Sequence, residues 1–250
     1  MKTSNALYIG LLALASFAGC SKDHEASTPA AAAWNYENTD WKTLGYADCG
    51  DNVQSPVDIT TASDVKTMLP DVAYNFTLFP MKIVDNGHTV EVLNTGTNTV
   101  TVNGHTYNFV QFHFHHHSEH SVNGQAYPLE MHIVSQDPNT GTLVVLSVLF
   151  QESGTDNPFI ATVFNNIPAQ KAKEVQTQEM LSLRDVLPAD QHYYTYIGSL
   201  TTPPCTPGVD WVIFRQPVTI STAQLAKFAQ LYPANARPTQ PLFTRVVLED

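Results

Sequence analysis

Five histidines fall within ten residues in the stretch QFHFHHHSEH, 111–120. On a strand, side chains alternate between faces, so Gln111, His113 and His115 would share one side and Phe112 and Phe114 the other. Two imidazoles two residues apart on a rigid strand point the same way and can clamp one ion. LEMHIV, 129–134, repeats the pattern, with Glu130, His132 and Val134 on one face and Leu129, Met131 and Ile133 on the other. If the two segments pair, His132 completes a three-histidine set. Three neutral imidazoles with an open fourth position suit catalytic rather than structural zinc, and no thiolate is at hand. Gln111 and Glu130 each stand two residues from a candidate ligand, on its face. There they can accept its second N–H and fix its tautomer. An Asp or Glu from elsewhere could replace one of the three, and most His-x-His pairs on strands bind nothing. His116, His117 and His120 read as ordinary exposed or hydrogen-bonded histidines.

The segments around these residues are mostly strand-like. HTVEVLN (88–94), NTVTVNG (98–104), HTYNFVQFHFHH (105–116), LEMHIVSQ (129–136) and TLVVLSVLF (142–150) are separated by turn signals such as VNG and DPNTG. The last is almost continuously apolar and belongs in a sheet centre. Helices are few. DNPFIATVFNNI (156–167) is one candidate. STAQLAKFAQLY (221–232) is better, because Ser221 and Gln224 have capping-box spacing before an apolar periodic run. The fold class that follows is mainly β, one domain with a large central sheet and short peripheral helices.

Composition agrees. The chain has 250 residues, 14% of them charged, 16 prolines and a net charge of −11. An acidic chain without Lys/Arg runs is a poor partner for nucleic acid, whose phosphates need cations. Residues 1–19, with Lys2 ahead of an apolar run, read as a signal peptide too short to span a bilayer. FAGC, 17–20, resembles a bacterial lipobox, which makes Cys20 a lipidation site and an N-terminal lipid the only membrane contact; Phe17 departs from the usual Leu. Residues 20–33 read as a flexible tether and the domain runs from 34 to 250. The chain is then an exported, periplasmic or surface lipoprotein. Cys49 and Cys205 remain as an even pair suited to an oxidising compartment.

QFHFHHHSEHSVNGQAYPLEMHIV resembles the α-class carbonic anhydrases, as do QSPVDI (54–59), NGHTVEV (86–92), YIGSLTTPPC (196–205), VDWVIF (209–214) and ARPTQPL (236–242). The six blocks stand in family order over nearly the whole chain from residue 34. The resemblance implies a mostly antiparallel twisted sheet of about ten strands, with zinc at the bottom of a conical cleft on the central strands. It implies His113, His115 and His132 as zinc ligands and Gln111 and Glu130 as their supports. Glu119 and Thr201 would orient a zinc-activated hydroxide, and His88 would shuttle protons. Thr202 would hold bicarbonate, and Val134, Val145, Leu200 and Trp211 would form the apolar wall for CO2. Tyr36 would order cleft water, although Asn35 stands where the family usually has Gly. A Cys49–Cys205 disulfide and cis bonds at Ser55–Pro56 and Pro203–Pro204 are also implied. The reaction would be reversible hydration of carbon dioxide to bicarbonate and a proton, by a monomer or homodimer.

One departure stands out. The family usually has Trp-Gly or Thr-Pro after the second ligand, and here His116–His117 follows. Those rings could form a secondary metal site or an extra proton relay, or could be a local substitution without consequence. Two other function classes compete with the enzyme. One is a catalytically dead binding domain on the same fold, whose relatives lose zinc ligands. The other is a metal-scavenging lipoprotein, which would need no SLTTPP loop.

Overall fold

In the computed structural model, which describes residues 33–250, the His105–His115 strand pairs antiparallel with the Leu129–Gln136 strand. The register sets His132 opposite His113 and Glu130 opposite His115. On its other side the His105–His115 strand pairs antiparallel with Val90–Leu93, which puts Glu91 opposite His113. A slip of one residue in either pairing would turn the imidazoles away from the cleft. The aromatic face prevents it. Phe112, Phe114, Met131, Ile133 and Val92 are fully buried in the larger of the apolar clusters.

The Leu143–Ser153 strand extends the sheet antiparallel to Leu129–Gln136 and runs parallel to Pro207–Phe214. Its apolar run reflects burial on both faces. Val144, Leu146, Val148 and Phe150 enter the large core, whereas Val145 and Leu149 enter a second cluster on the opposite face. The lone polar residue in the run, Ser147, points its hydroxyl at Glu130. Among the described residues the sheet has thirteen strands, ten of them on one continuous path, matching the expectation of about ten. It is mixed rather than uniformly antiparallel: Leu143–Ser153 also runs parallel to Val218–Ser221, as does Leu248–Glu249 to Val65–Lys66.

Both expected α-helices form, shorter than their sequence bounds: Pro158–Phe164 and Thr222–Leu231. Ser221 and Gln224 make the capping box. Gln224 also exchanges hydrogen bonds with the backbone of Asn157, the cap of the other helix, and Phe164 stacks on Phe228. The disulfide Cys49–Cys205 is present, and so are the cis bonds at Ser55–Pro56 and Pro203–Pro204; His116–His117 is cis as well, which nothing in the sequence flagged. Among the described residues no helix is long and apolar enough to cross a membrane. The signal peptide, Cys20 and the tether up to residue 32 lie outside the described residues.

Gly198, on the strand leading to Thr201, has no room for a side chain. A Cβ there would sit 2.0 Å from Ser55 Oγ and 2.8 Å from the Tyr196 ring. Gly198→Ala is expected to destabilise the fold by about 1–3 kcal/mol through overpacking. Urea denaturation measures the change.

Candidate metal centre

The sheet brings His113, His115 and His132 together, with one ligand-capable nitrogen from each lying within 4.8 Å of the others. The rings are 4.6–5.2 Å apart between centroids. Each ring has its second nitrogen tied. His113 Nδ1–H donates to Gln111 Oε1 at 2.8 Å. His132 Nε2–H donates to Glu130 Oε1 at 2.8 Å. His115 Nδ1–H donates to the carbonyl oxygen of Asn235 at 2.8 Å. The lone pairs left over are Nε2 of His113, Nε2 of His115 and Nδ1 of His132. His115 Nε2 is buried without a hydrogen-bond partner among the described residues. An orphaned acceptor facing two more imidazoles fits a divalent ion of nitrogen preference, and the set holds no sulfur.

Glu130 is fully buried and takes five hydrogen bonds. Oε1 accepts from His132, from His120 Nδ1 and from Ser147, and Oε2 accepts from the backbone N–H groups of Glu119 and His120. Desolvation opposes its charge, but His120 and His132 outweigh that and hold the carboxyl well below its usual range. The bonds also fix the loop that carries Glu119. That carboxyl, likewise buried, accepts the N–H of Arg237 at 2.8 Å. Burial raises it to about 7, against the opposing pull of His132, Arg237 and the Thr201 hydroxyl. Among the described residues its Oε2 makes no close hydrogen bond, and it lies 3.9 Å from His132 Nδ1.

A cavity of about 120 Å³ opens over the imidazoles, lined by Trp34, Tyr36, His88, Glu91, Gln111 and Thr202, among others. His88 sits at its rim on a turn held by Asn86 Oδ1, which accepts the N–H groups of His88 and Thr89, with Gly87 at φ +90. Its ring stacks on Trp34 at 4.0 Å, and Tyr36 stands edge-on to it. Burial, then Lys171, lower the His88 pKa. Burial also raises Tyr36, as do Glu119 and Tyr232, so the phenol stays protonated. Val134, Val145 and Trp211 belong to the second apolar cluster, with Leu200 packed against it, and the Trp211 ring lies 4.8 Å from that of His132. Of the residues expected from the sequence, Tyr36, His88, Gln111, His113, His115 and Thr202 line the cavity, Glu119 and Glu130 adjoin His132, and Cys49 and Cys205 form the disulfide. His116 and His117 stack on each other, and neither joins a metal-capable group of three among the described residues.

Against this geometry, the chain matches the family model for eukaryotic-type carbonic anhydrases over residues 36–250. The protein belongs to the α-carbonic anhydrases. It is 41% identical to a carbonic anhydrase of Neisseria gonorrhoeae over 198 residues, 78% of this chain and 77% of that one. It is 35% identical to one of Klebsiella pneumoniae over 229 residues, 88% of this chain and 92% of that one. Its fold is similar to the α-carbonic anhydrase of Thermovibrio ammonificans, solved with the inhibitor sulfanilamide. That likeness has TM-score 0.82 and 38% identity, and covers 87% of this chain and 99% of the other. Membership carries the family's reaction, the hydration of carbon dioxide by a lyase. The disulfide agrees with a compartment outside the reducing cytoplasm.

Four groups at the site escaped the sequence reading. Asn235 acts through its carbonyl, which every residue has, so no side-chain pattern could reveal it. His120, read as exposed or hydrogen-bonded, is the hydrogen-bonded kind: it is fully buried against Glu130, with its Nε2 accepting from Tyr196. Trp34 is two residues from Tyr36 on the N-terminal segment and is placed only by its stacking on His88, whereas Glu91 shares the cleft face with His113 through strand register.

Two outcomes are expected. Elemental analysis should find one zinc per native chain and almost none in His115→Ala, because two imidazoles bind far more weakly than three. Stability of the metal-free protein should also depend on pH. Burial lowers all three imidazoles, His115 from 6.5 to about 4, so the unfolded chain binds more protons. Their contribution is present above pH 6.5 and lost as pH falls toward 4. Glu119, raised from 4.5 to about 7, opposes this, but as one group against three. Urea midpoints taken across this window should fall on acidification, and a flat profile would contradict the assignment.

Proposed function

We propose that the protein catalyses the reversible hydration of carbon dioxide to bicarbonate and a proton, using zinc held by His113 Nε2, His115 Nε2 and His132 Nδ1. The observation that carries this reading is the set of three imidazole lone pairs, each defined by a hydrogen bond on the opposite ring nitrogen. When bound, zinc supplies a Lewis acid that makes water ionise near neutral pH and so become a nucleophile.

The surrounding residues do the rest. Neutral ligands leave the ion its charge. Thr201 gives its hydroxyl hydrogen to Glu119, which leaves its oxygen lone pair free to accept a hydrogen from the attacking group. That orients the nucleophile and disfavours competing anions that have no hydrogen to donate. Thr202, on the cavity wall, hydrogen-bonds the bicarbonate. Carbon dioxide is apolar, and Val134, Val145, Leu200 and Trp211 offer it a dry wall. Each turnover leaves a proton that must reach bulk solvent. His88, at the rim and with a pKa lowered from 6.5, takes it through water ordered by Tyr36 and releases it.

The chain is further proposed to be exported, with residues 1–19 removed and Cys20 lipidated; the even pairing of Cys49 with Cys205 supports the compartment.

Stopped-flow measurement of CO2 hydration tests the reading. The zinc-loaded protein should be active and a chelator should abolish the activity. Thr201→Ala should keep its zinc and lose roughly 10²-fold in kcat/KM, the scale of one lost orienting hydrogen bond in a transition state. A zinc-loaded native protein without hydration activity would overturn it.

A further inference from the structure

The carbonyl of Asn235 fixes the tautomer of His115, and its side chain makes a separate set of bonds. Asn235 is 1% exposed. Its Nδ2 donates to the carbonyl of His88 at 3.0 Å and to the carbonyl of Phe114 at 2.9 Å. Its Oδ1 accepts the N–H of His116 at 2.7 Å. One amide thus spans the rim turn that carries His88 and the strand that carries His113 and His115. The neighbouring tie meets at the same point: Thr89 Oγ1 donates to the Phe114 carbonyl at 2.6 Å. The ring of His88 has an aromatic neighbour in Trp34, but Trp34 lies on the N-terminal segment and not on the sheet. The amide of Asn235 therefore joins the backbone of His88 itself to the central strands.

We propose that the Asn235 side chain is a positioning residue for proton transfer, setting the distance between the His88 turn and the metal strand. This rests on the reading of His88 as the proton carrier. Proton transfer through a short water chain depends steeply on the separation of its ends, so a small shift of the turn slows it. The bond-making step at the metal does not involve His88. Loss of the amide should therefore lower kcat, which includes export of the proton, and spare kcat/KM for CO2.

The test compares the native protein, Asn235→Ala, His88→Ala and the double variant, all zinc-loaded, in weak buffer and then with added imidazole. Asn235→Ala retains the carbonyl that holds His115. It should lose roughly fivefold to tenfold in kcat, the equivalent of one or two net hydrogen bonds, with kcat/KM within about twofold. Imidazole should restore the loss. In the His88→Ala background the same substitution should cost nothing further. Hydrogen exchange should quicken at the amides of residues 88–90 and stay slow at 111–114. A parallel fall of kcat and kcat/KM, an equal loss in the absence of His88, or unchanged exchange at the turn would each overturn the proposal. A His88→Ala enzyme with native kcat would instead overturn the shuttle reading, while the exchange measurement would still decide whether Asn235 holds the turn. If the alanine variant does not fold, Asn235→Ser supplies one donor in place of two and is expected to show an intermediate loss.

Discussion

A carboxylate with no exposed surface, Glu130, is the constraint on which the site is built. Removing an isolated carboxylate from water costs several kcal/mol even after relaxation, so it is tolerated only when its oxygens are satisfied. Here five donors do so, supplied by four residues on three segments: His132, Ser147 and the Glu119–His120 loop. His132 is thereby presented with Nδ1 free. The N–H groups of Glu119 and His120 fix the loop after the histidine cluster. Ser147 ties in the adjacent strand. His120 passes the constraint on, because its Nε2 accepts from Tyr196, whose hydroxyl meets Ser55 Oγ at 2.7 Å. The same Ser55 lies where a side chain at Gly198 would intrude. One buried charge therefore couples the histidine strands, the QSPVDI segment and the strand leading into the Thr201 loop.

The segment Pro233–Arg237 is the second organising piece, and it works mostly through backbone. Its carbonyls take His116 Nδ1 and His115 Nδ1, and its N–H groups give to His116 and to Glu119. The buried guanidinium of Arg237 then donates to Gln54 Oε1 and to the carbonyls of Ser55 and Cys49. Gln54 in turn donates to the carbonyl of Cys205. The disulfide is thus tied to the segment that positions Glu119 and His115, and Cys205 follows the Thr201 loop in sequence. Covalent closure of Cys49 to Cys205 across 156 residues restrains both.

Much of the site was legible in the sequence because β-strands encode direction with period two. His113 and His115 had to share a face, and so did Glu130 and His132. The antiparallel register that joins them follows from which faces are greasy. The continuous run in Leu143–Phe150 was legible for the same reason, since a strand buried on both sides shows no alternation. What stayed hidden depends on long-range closure or on backbone atoms. The carbonyl of Asn235 meets a histidine 120 residues away, and no residue type announces a carbonyl. His120 looked like surplus imidazole in a histidine-rich stretch, and only its burial against Glu130 gives it a place. The parallel pairing of Leu143–Ser153 with Pro207–Phe214 and Val218–Ser221 was likewise hidden, because parallel partners are joined by crossovers that local turn signals do not reveal.

Histidine abundance by itself would also suit a metal-scavenging protein, and the wiring of the rings argues against that. Two groups of three metal-capable side chains occur among the described residues, His113/His115/His132 and His120/Glu130/His132. They share His132, so they cannot both be filled independently. The second group is already saturated, since Glu130 Oε1 receives three donors and both nitrogens of His120 are engaged. A metal entering there would have to displace hydrogen bonds that keep a buried carboxylate tolerable. In the first group no ring hydrogen bond has to be displaced, because the bonds to Gln111, Asn235 and Glu130 all use the opposite ring nitrogens. The wiring therefore leaves one place suited to an ion, under the polar-lined cavity and with Trp211 of the second apolar cluster 4.8 Å from the His132 ring. A storage site gains nothing from such asymmetry, whereas a reaction between a polar nucleophile and an apolar gas needs both sides.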